Sequence, residues 1–154
     1  MKHLSIIARF GIYSALGITA FFALVYYLGF GDVSELRLFN LIIVVYFTNR
    51  LIQKNTSTSN EVNYLENLGS AFLSNLICVL LCLVALIIFV NFVDVDYLEN
   101  VNKDSIWAQA DSLNDMLLVL FLEGMSSAAI ISFSLMQYWK NESREHKTLY
   151  ETSA

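Results

Sequence analysis

The chain has no proline in 154 residues, and only 15% of them are charged, against about 25% in an ordinary soluble domain. The lack of proline leaves the broken helices of many transport sites without sequence support. Cysteine and histidine are scarce: Cys78 and Cys82 lie four apart inside an apolar run, and His3 and His146 sit at opposite ends of the chain. A metal centre needs several ligands within reach, so no metal is expected, and the cysteines read as small residues compatible with lipid. There is no glycine-rich phosphate loop, no HExxH and no GxSxG, and a catalytic set requires a nucleophile or metal beside a positioned base. An enzyme is therefore not expected, nor is any cofactor.

Apolar residues make up 56% of the chain, and they come in blocks. Residues 10–31 (FGIYSALGITAFFALVYYLGFG) and 67–93 (NLGSAFLSNLICVLLCLVALIIFVNFV) contain no charge. Uncharged runs of more than about 18 residues mark membrane-spanning helices, which excludes a secreted disulfide domain, a nucleic-acid binder or a soluble enzyme as a reading of the whole. Lys2 and Arg9 precede the first block as they would in a signal peptide. The block is too long for that, however, and no small-x-small cleavage pattern follows, so it is expected to stay as an anchor.

Four spans are expected, at about 4–30, 35–53, 65–92 and 110–139, followed by a polar tail over 140–154. The second is the weakest, since its uncharged stretch (LFNLIIVVYFTN, 38–49) is short and Arg37 and Arg50 must reach to the interfaces from either end. A re-entrant or interfacial segment is the alternative there. A tight turn (GDVSE, 31–35) with a cap at Asp32 or Ser34, a polar linker (54–63) and an acidic loop (94–106) connect the spans. The fold class is all-α, an integral membrane four-helix bundle in one domain.

Lys and Arg are retained on the cytoplasmic side of a membrane. With four spans, one side holds Lys2, Arg9, Arg50, Lys54, Lys140, Arg144 and Lys147, and the other only Arg37 and Lys103 with four acids. Both termini are therefore expected in the cytoplasm. Tyr26, Tyr27, Tyr97 and Trp107 fall at the expected outer interface, and Tyr138 and Trp139 at the inner one.

Small residues recur at every fourth position: Gly11, Ala15, Thr19 and Ala23; Ser70, Ser74, Cys78 and Cys82; Gly124, Ala128 and Ser132. Lipid supplies no hydrophobic force between helices, so close backbone approach over small residues takes its place. These stripes are the expected packing faces, within the bundle or against another protein. Asn49 and Asn75 are expected to bond across helices, at roughly 1 kcal/mol or less each.

Glu123 breaks the apolar logic, with seven uncharged residues before it and sixteen after. A charge at mid-bilayer costs about 3 kcal/mol on insertion scales, and hydrocarbon favours the neutral form of a carboxyl. At 1.5 Å per residue Glu123 lies about 10 Å below the outer interface, level with Arg37 and Asn40 near the outer end of the second span. Ser126 and Ser127 follow one turn on. Three roles are open: a polar clamp with Arg37 or Asn40, a contact to a partner subunit, and a proton- or cation-coupling site.

The order of features resembles a family of small four-span bacterial membrane proteins of unassigned role. The likeness rests on the Gly11, Ala15, Gly17 spacing, on YLENLGSAFLSNLI (64–77) entering the third span, and on FVDVDYLENV (92–101) leaving it. Val95 replaces the proline usual in the last segment. The segment ARFGIYSALG (8–17) is distantly similar to small four-span flippase-like proteins of polyprenyl-glycan pathways. The resemblance implies the bacterial inner membrane and brings no catalytic residues. The expected role is a non-enzymatic accessory or scaffold subunit that meets another membrane protein or a second copy; the alternative is a small ion- or proton-coupled transporter using Glu123.

Overall fold

The computed structural model describes residues 2–29, 37–58, 64–93 and 113–152. Four helices account for nearly all of them: α1 (Lys2–Tyr27), α2 (Arg37–Thr58), α3 (Tyr64–Phe92) and α4 (Leu113–Thr152). The chain is all-α over these residues. The turn at 31–35, the acidic loop with Tyr97, Lys103 and Trp107, and the first residues of the expected fourth span lie outside the described residues, as does the side chain of Arg37.

With no proline to remove a backbone donor, the helices run through without a break. α1 is closed by Gly29, whose φ of 79° is left-handed. Its N–H donates to the Tyr26 carbonyl at 3.0 Å, and the Leu28 N–H donates to the Leu24 carbonyl at 3.0 Å. Only glycine adopts that φ without a steric penalty, and so the last carbonyls are capped. α3 and α4 open with Glu66 and Asp115 in their first turns, where the positive end of the helix dipole favours an acid.

Ring and backbone contacts give the helix directions. Phe21 meets Phe39 at 5.8 Å and Tyr13 meets Phe47 at 6.4 Å, so α1 and α2 are antiparallel. Gly11 lies against Ser74, and Phe22 against Phe89 at 5.1 Å, so α1 and α3 are parallel. Val90 packs on Met116, and Lys140 lies over the Tyr64 ring at 6.0 Å, so α3 and α4 are antiparallel. α2 and α3 each touch all three other helices, α3 the more extensively, whereas α1 and α4 barely meet and occupy opposite corners. The end of the bundle where α1 begins also carries Arg9, Arg50, Lys54 and Lys140. Lys54 there lies over the Phe10 ring at 6.0 Å.

Three stretches, Leu4–Tyr27, Tyr64–Phe92 and Leu113–Lys140, are long and apolar enough to cross a membrane, and in the most apolar window of each only 22% is buried inside the chain. Much of what remains exposed is large and apolar, including Leu16, Leu24, Ile88, Leu118, Leu122 and Ile130. α2 is not among these three. Asn40, Asn49, Arg50 and Lys54 dilute its apolar core, as the short uncharged stretch implied. It is nonetheless firmly packed, with Thr48, Leu51, Ile52 and Asn55 buried.

Candidate functional site

The interior has two kinds of contact. Near the middle of the bundle, the Thr48 hydroxyl lies 2.7 Å from Asn75 Oδ1 and 2.7 Å from the Val44 carbonyl, so its single proton faces two acceptors. Asn75 Nδ2 donates in turn to Ser132 Oγ at 3.3 Å. Thr48, Asn75 and Ser132 are all buried, and the chain of bonds ties α2, α3 and α4 together at one level. Closer to the terminal end, Trp139 Nε1 donates to Asn49 Oδ1 at 2.8 Å. Asn75 and Asn49 stand out in the sequence as amides in apolar spans. Thr48 does not, because a threonine that merely bonds back to its own helix looks the same.

The small residues allow close approach. A Cβ on Gly11 would meet the Ser74 carbonyl oxygen at 2.7 Å, and one on Gly124 would meet both Val79 methyls at 2.8 Å. Ala15, Ser74, Cys78 and Ala128 are buried as well. Thr19 and Ala23 are exposed. Each i+4 step on a helix of 3.6 residues per turn advances about 40°, so a strict fourfold spacing that starts on the packed face at Gly11 has turned off it by Thr19. The buried face of α1 instead follows Ile7, Gly11, Ser14 and Ala15, with half-buried Ile18 and Phe22 continuing it.

Glu123 lies on the opposite kind of surface. Gly124 faces α3, and one residue earlier the helix has turned by about 100°, which leaves Glu123 exposed on the outer side of α4. Asn40 is at a similar depth, since both residues lie a little over two turns from the Thr48–Asn75–Ser132 level. Among the described residues, however, no hydrogen bond joins Glu123 to Asn40, and the buried Asn40 Oδ1 has no donor. The Arg37 side chain lies outside the described residues, so the expected pair with Arg37 is not described. Ser126 is exposed beside Glu123 and donates to its own helix, to the Leu122 carbonyl at 2.8 Å. Ser127 is half-buried. The interior at this end offers a carboxyl little: it is built of Val90 and Met116 with Phe22, Phe89 and leucines packed around them.

Among the described residues no group of three histidine, cysteine, aspartate or glutamate side chains could hold a metal ion. Comparison with protein-family models, with curated proteins and with solved structures finds no match for this chain.

Proposed function

We propose that the chain is a small non-enzymatic subunit of the bacterial inner membrane, a four-span bundle with both termini in the cytoplasm, whose role is to dock against another chain in the bilayer. The carrying observation is Glu123, exposed on α4 among Leu118, Val119, Leu122 and Ile130, with no partner for its carboxyl among the described residues. Lipid cannot hydrogen-bond a carboxyl, and a charge at that depth costs about 3 kcal/mol. A neighbouring chain that covers the face removes that cost.

Further features support the membrane setting. The exposed leucines and isoleucines of α1, α3 and α4 match a hydrocarbon solvent, and α2 packs alongside these three helices. The basic residues gathered at the end where α1 begins favour that end as the cytoplasmic one. The resemblance of the segments 64–77 and 92–101 to small four-span bacterial membrane proteins favours the inner membrane. A coupled carrier would need Glu123 to line a cavity or water path, and its position on the outside of α4 favours docking.

The test is purification of the tagged protein from native membranes in mild detergent, followed by native mass spectrometry. The docking reading expects a species heavier than one chain, and a bare monomer at all detergent concentrations overturns it.

A further inference from the structure

Charge is divided unevenly among the helices. α1 and α2 contain no acidic residue, while Glu66, Asp115 and Glu123 lie on α3 and α4. Arg9 and Arg50 are both exposed, and among the described residues neither meets an acid. Arg9 lies two residues from Gly11, which faces Ser74 of α3, and Arg50 lies two residues from Thr48, which bonds to Asn75 of α3. Two residues turn a helix by about 200°, so both arginines point away from α3, on the same side of the α1–α2 contact. Each begins the same order of exposed side chains toward the middle of the bundle: Arg9, Tyr13 and Leu16 on α1, and Arg50, Tyr46 and Ile42 on α2. Ring contacts join the two rows into one surface. Phe47 lies 6.4 Å from Tyr13 and 5.3 Å from Tyr46, and the Arg50 guanidinium stands 5.8 Å over the Tyr46 ring. Lys54, one turn beyond Arg50, lies over the Phe10 ring of α1 and brings a third cation to this end.

We propose that this α1–α2 groove holds an anionic phospholipid, its phosphate between Arg9 and Arg50 and one acyl chain along the two rows. The site rests on the membrane setting proposed above and is independent of docking through Glu123. Two features carry it. The first is charge. Like charges one turn apart on a helix, as at Arg50 and Lys54, repel, and neither helix supplies an acid to offset them. A guanidinium presents a planar fork of donors that matches two phosphate oxygens. Arg50 directs one nitrogen to the Gln53 side-chain oxygen at 3.4 Å, which leaves the rest of its fork for an anion. The second is the order along each row. A cation is followed by an aromatic ring and then an aliphatic chain, so the occupant is anionic at one end and apolar along the rest. A phospholipid answers both parts, whereas an acidic peptide in water meets only the cations. Basic grooves between helices at the cytoplasmic surface take anionic headgroups in this way.

The experiment adds phosphatidylglycerol or phosphatidylcholine, at equal concentrations, to full-length protein in neutral detergent and reads bound lipid by native mass spectrometry. Phosphatidylglycerol should be retained about tenfold more tightly, and the preference should shrink as salt is raised. Arg9→Gln combined with Arg50→Gln should remove the preference. Lys140→Gln, beside Tyr64 and away from the groove, should keep it. Should the double variant lose its helical signal, Arg50→Lys, which keeps the charge but not the fork, should lower the preference about threefold. Equal retention of the two lipids, or an equal loss in Lys140→Gln, overturns the site. Displacement of phosphatidylglycerol by inorganic phosphate at the same concentration overturns the acyl contact and assigns the groove to a free anion. An acidic polypeptide that co-purifies and is lost with the arginine substitutions overturns the lipid as occupant. Release of the unaltered chain from membranes by alkaline washing without detergent overturns the membrane setting itself. A chain that stays in the membrane but shows no lipid preference overturns this site alone.

Discussion

The two halves of the bundle are held together differently. In the half that carries the chain termini, polar and small residues share the interior with an apolar cluster of Ile52, Ala71 and Met136: Asn67, Ser70, Ser74 and Asn75 are buried on α3, Trp139 is bonded to Asn49, and the Gly11 backbone is pressed against Ser74. In the far half, rings and aliphatic chains do the packing: Phe89 stands edge-on to Phe22 at 5.1 Å and to Tyr26 at 4.9 Å, beside Val90 and Met116. Directional bonds add to apolar packing in defining register and rotation in the first half, and among the described residues packing alone does so in the second. The contrast also accounts for Glu123. It lies in the half whose interior is apolar, so the side of α4 that would have buried it has few groups to receive a carboxyl.

Four substitutions probe this contrast, each read as unfolding stability in detergent or bicelles. Gly11→Leu should have the largest effect. Its side chain meets a backbone carbonyl that cannot turn aside, so overpacking costs about 3 kcal/mol; a variant as stable as the unaltered chain contradicts the close α1–α3 approach. Asn75→Leu comes next, at about 1–2 kcal/mol, because it removes the centre of the Thr48–Asn75–Ser132 chain and leaves Ser132 unbonded to it. A double-mutant cycle with Thr48→Val should show coupling of about 0.6 kcal/mol or more, and strictly additive effects argue against the bond. Phe89→Leu should cost about 1 kcal/mol through the lost edge-to-face contacts, with little change in helix register. Trp139→Phe should be smallest, at about 0.5 kcal/mol, since it removes one hydrogen bond at the edge of the bundle. If Phe89→Leu exceeds Asn75→Leu, the polar half is not the more specific one.

Much of this is legible in the sequence. The uncharged runs at 10–31 and 67–93 announce two long helices, and the run around Glu123 announces a third, because backbone polar groups in lipid must be satisfied within the segment and a helix does that locally. The shortness of the second run is equally plain, and α2 is the helix that falls outside the length-and-composition test. The faces were harder to read. In water an amphipathic period tells which side of a helix is buried. In lipid both sides are apolar, so the spacing of small residues is the remaining guide, and it misplaces Thr19 because a fourfold count drifts around a helix of 3.6 residues per turn.

Thus the uncharged runs determined where the long helices lie and that Glu123 is out of keeping with them; of the four spans expected, three have the length and apolarity to cross a bilayer and α2 does not. Only the tertiary structure decided that α1 and α4 are kept apart by α2 and α3, that Thr48 completes the bond chain through Asn75 to Ser132, and that Glu123 faces outward. The physical reason is rotational: where both the interior and the surroundings are apolar, residue type says little about which way a side chain points, and the direction is settled by which close contacts the neighbouring backbones permit.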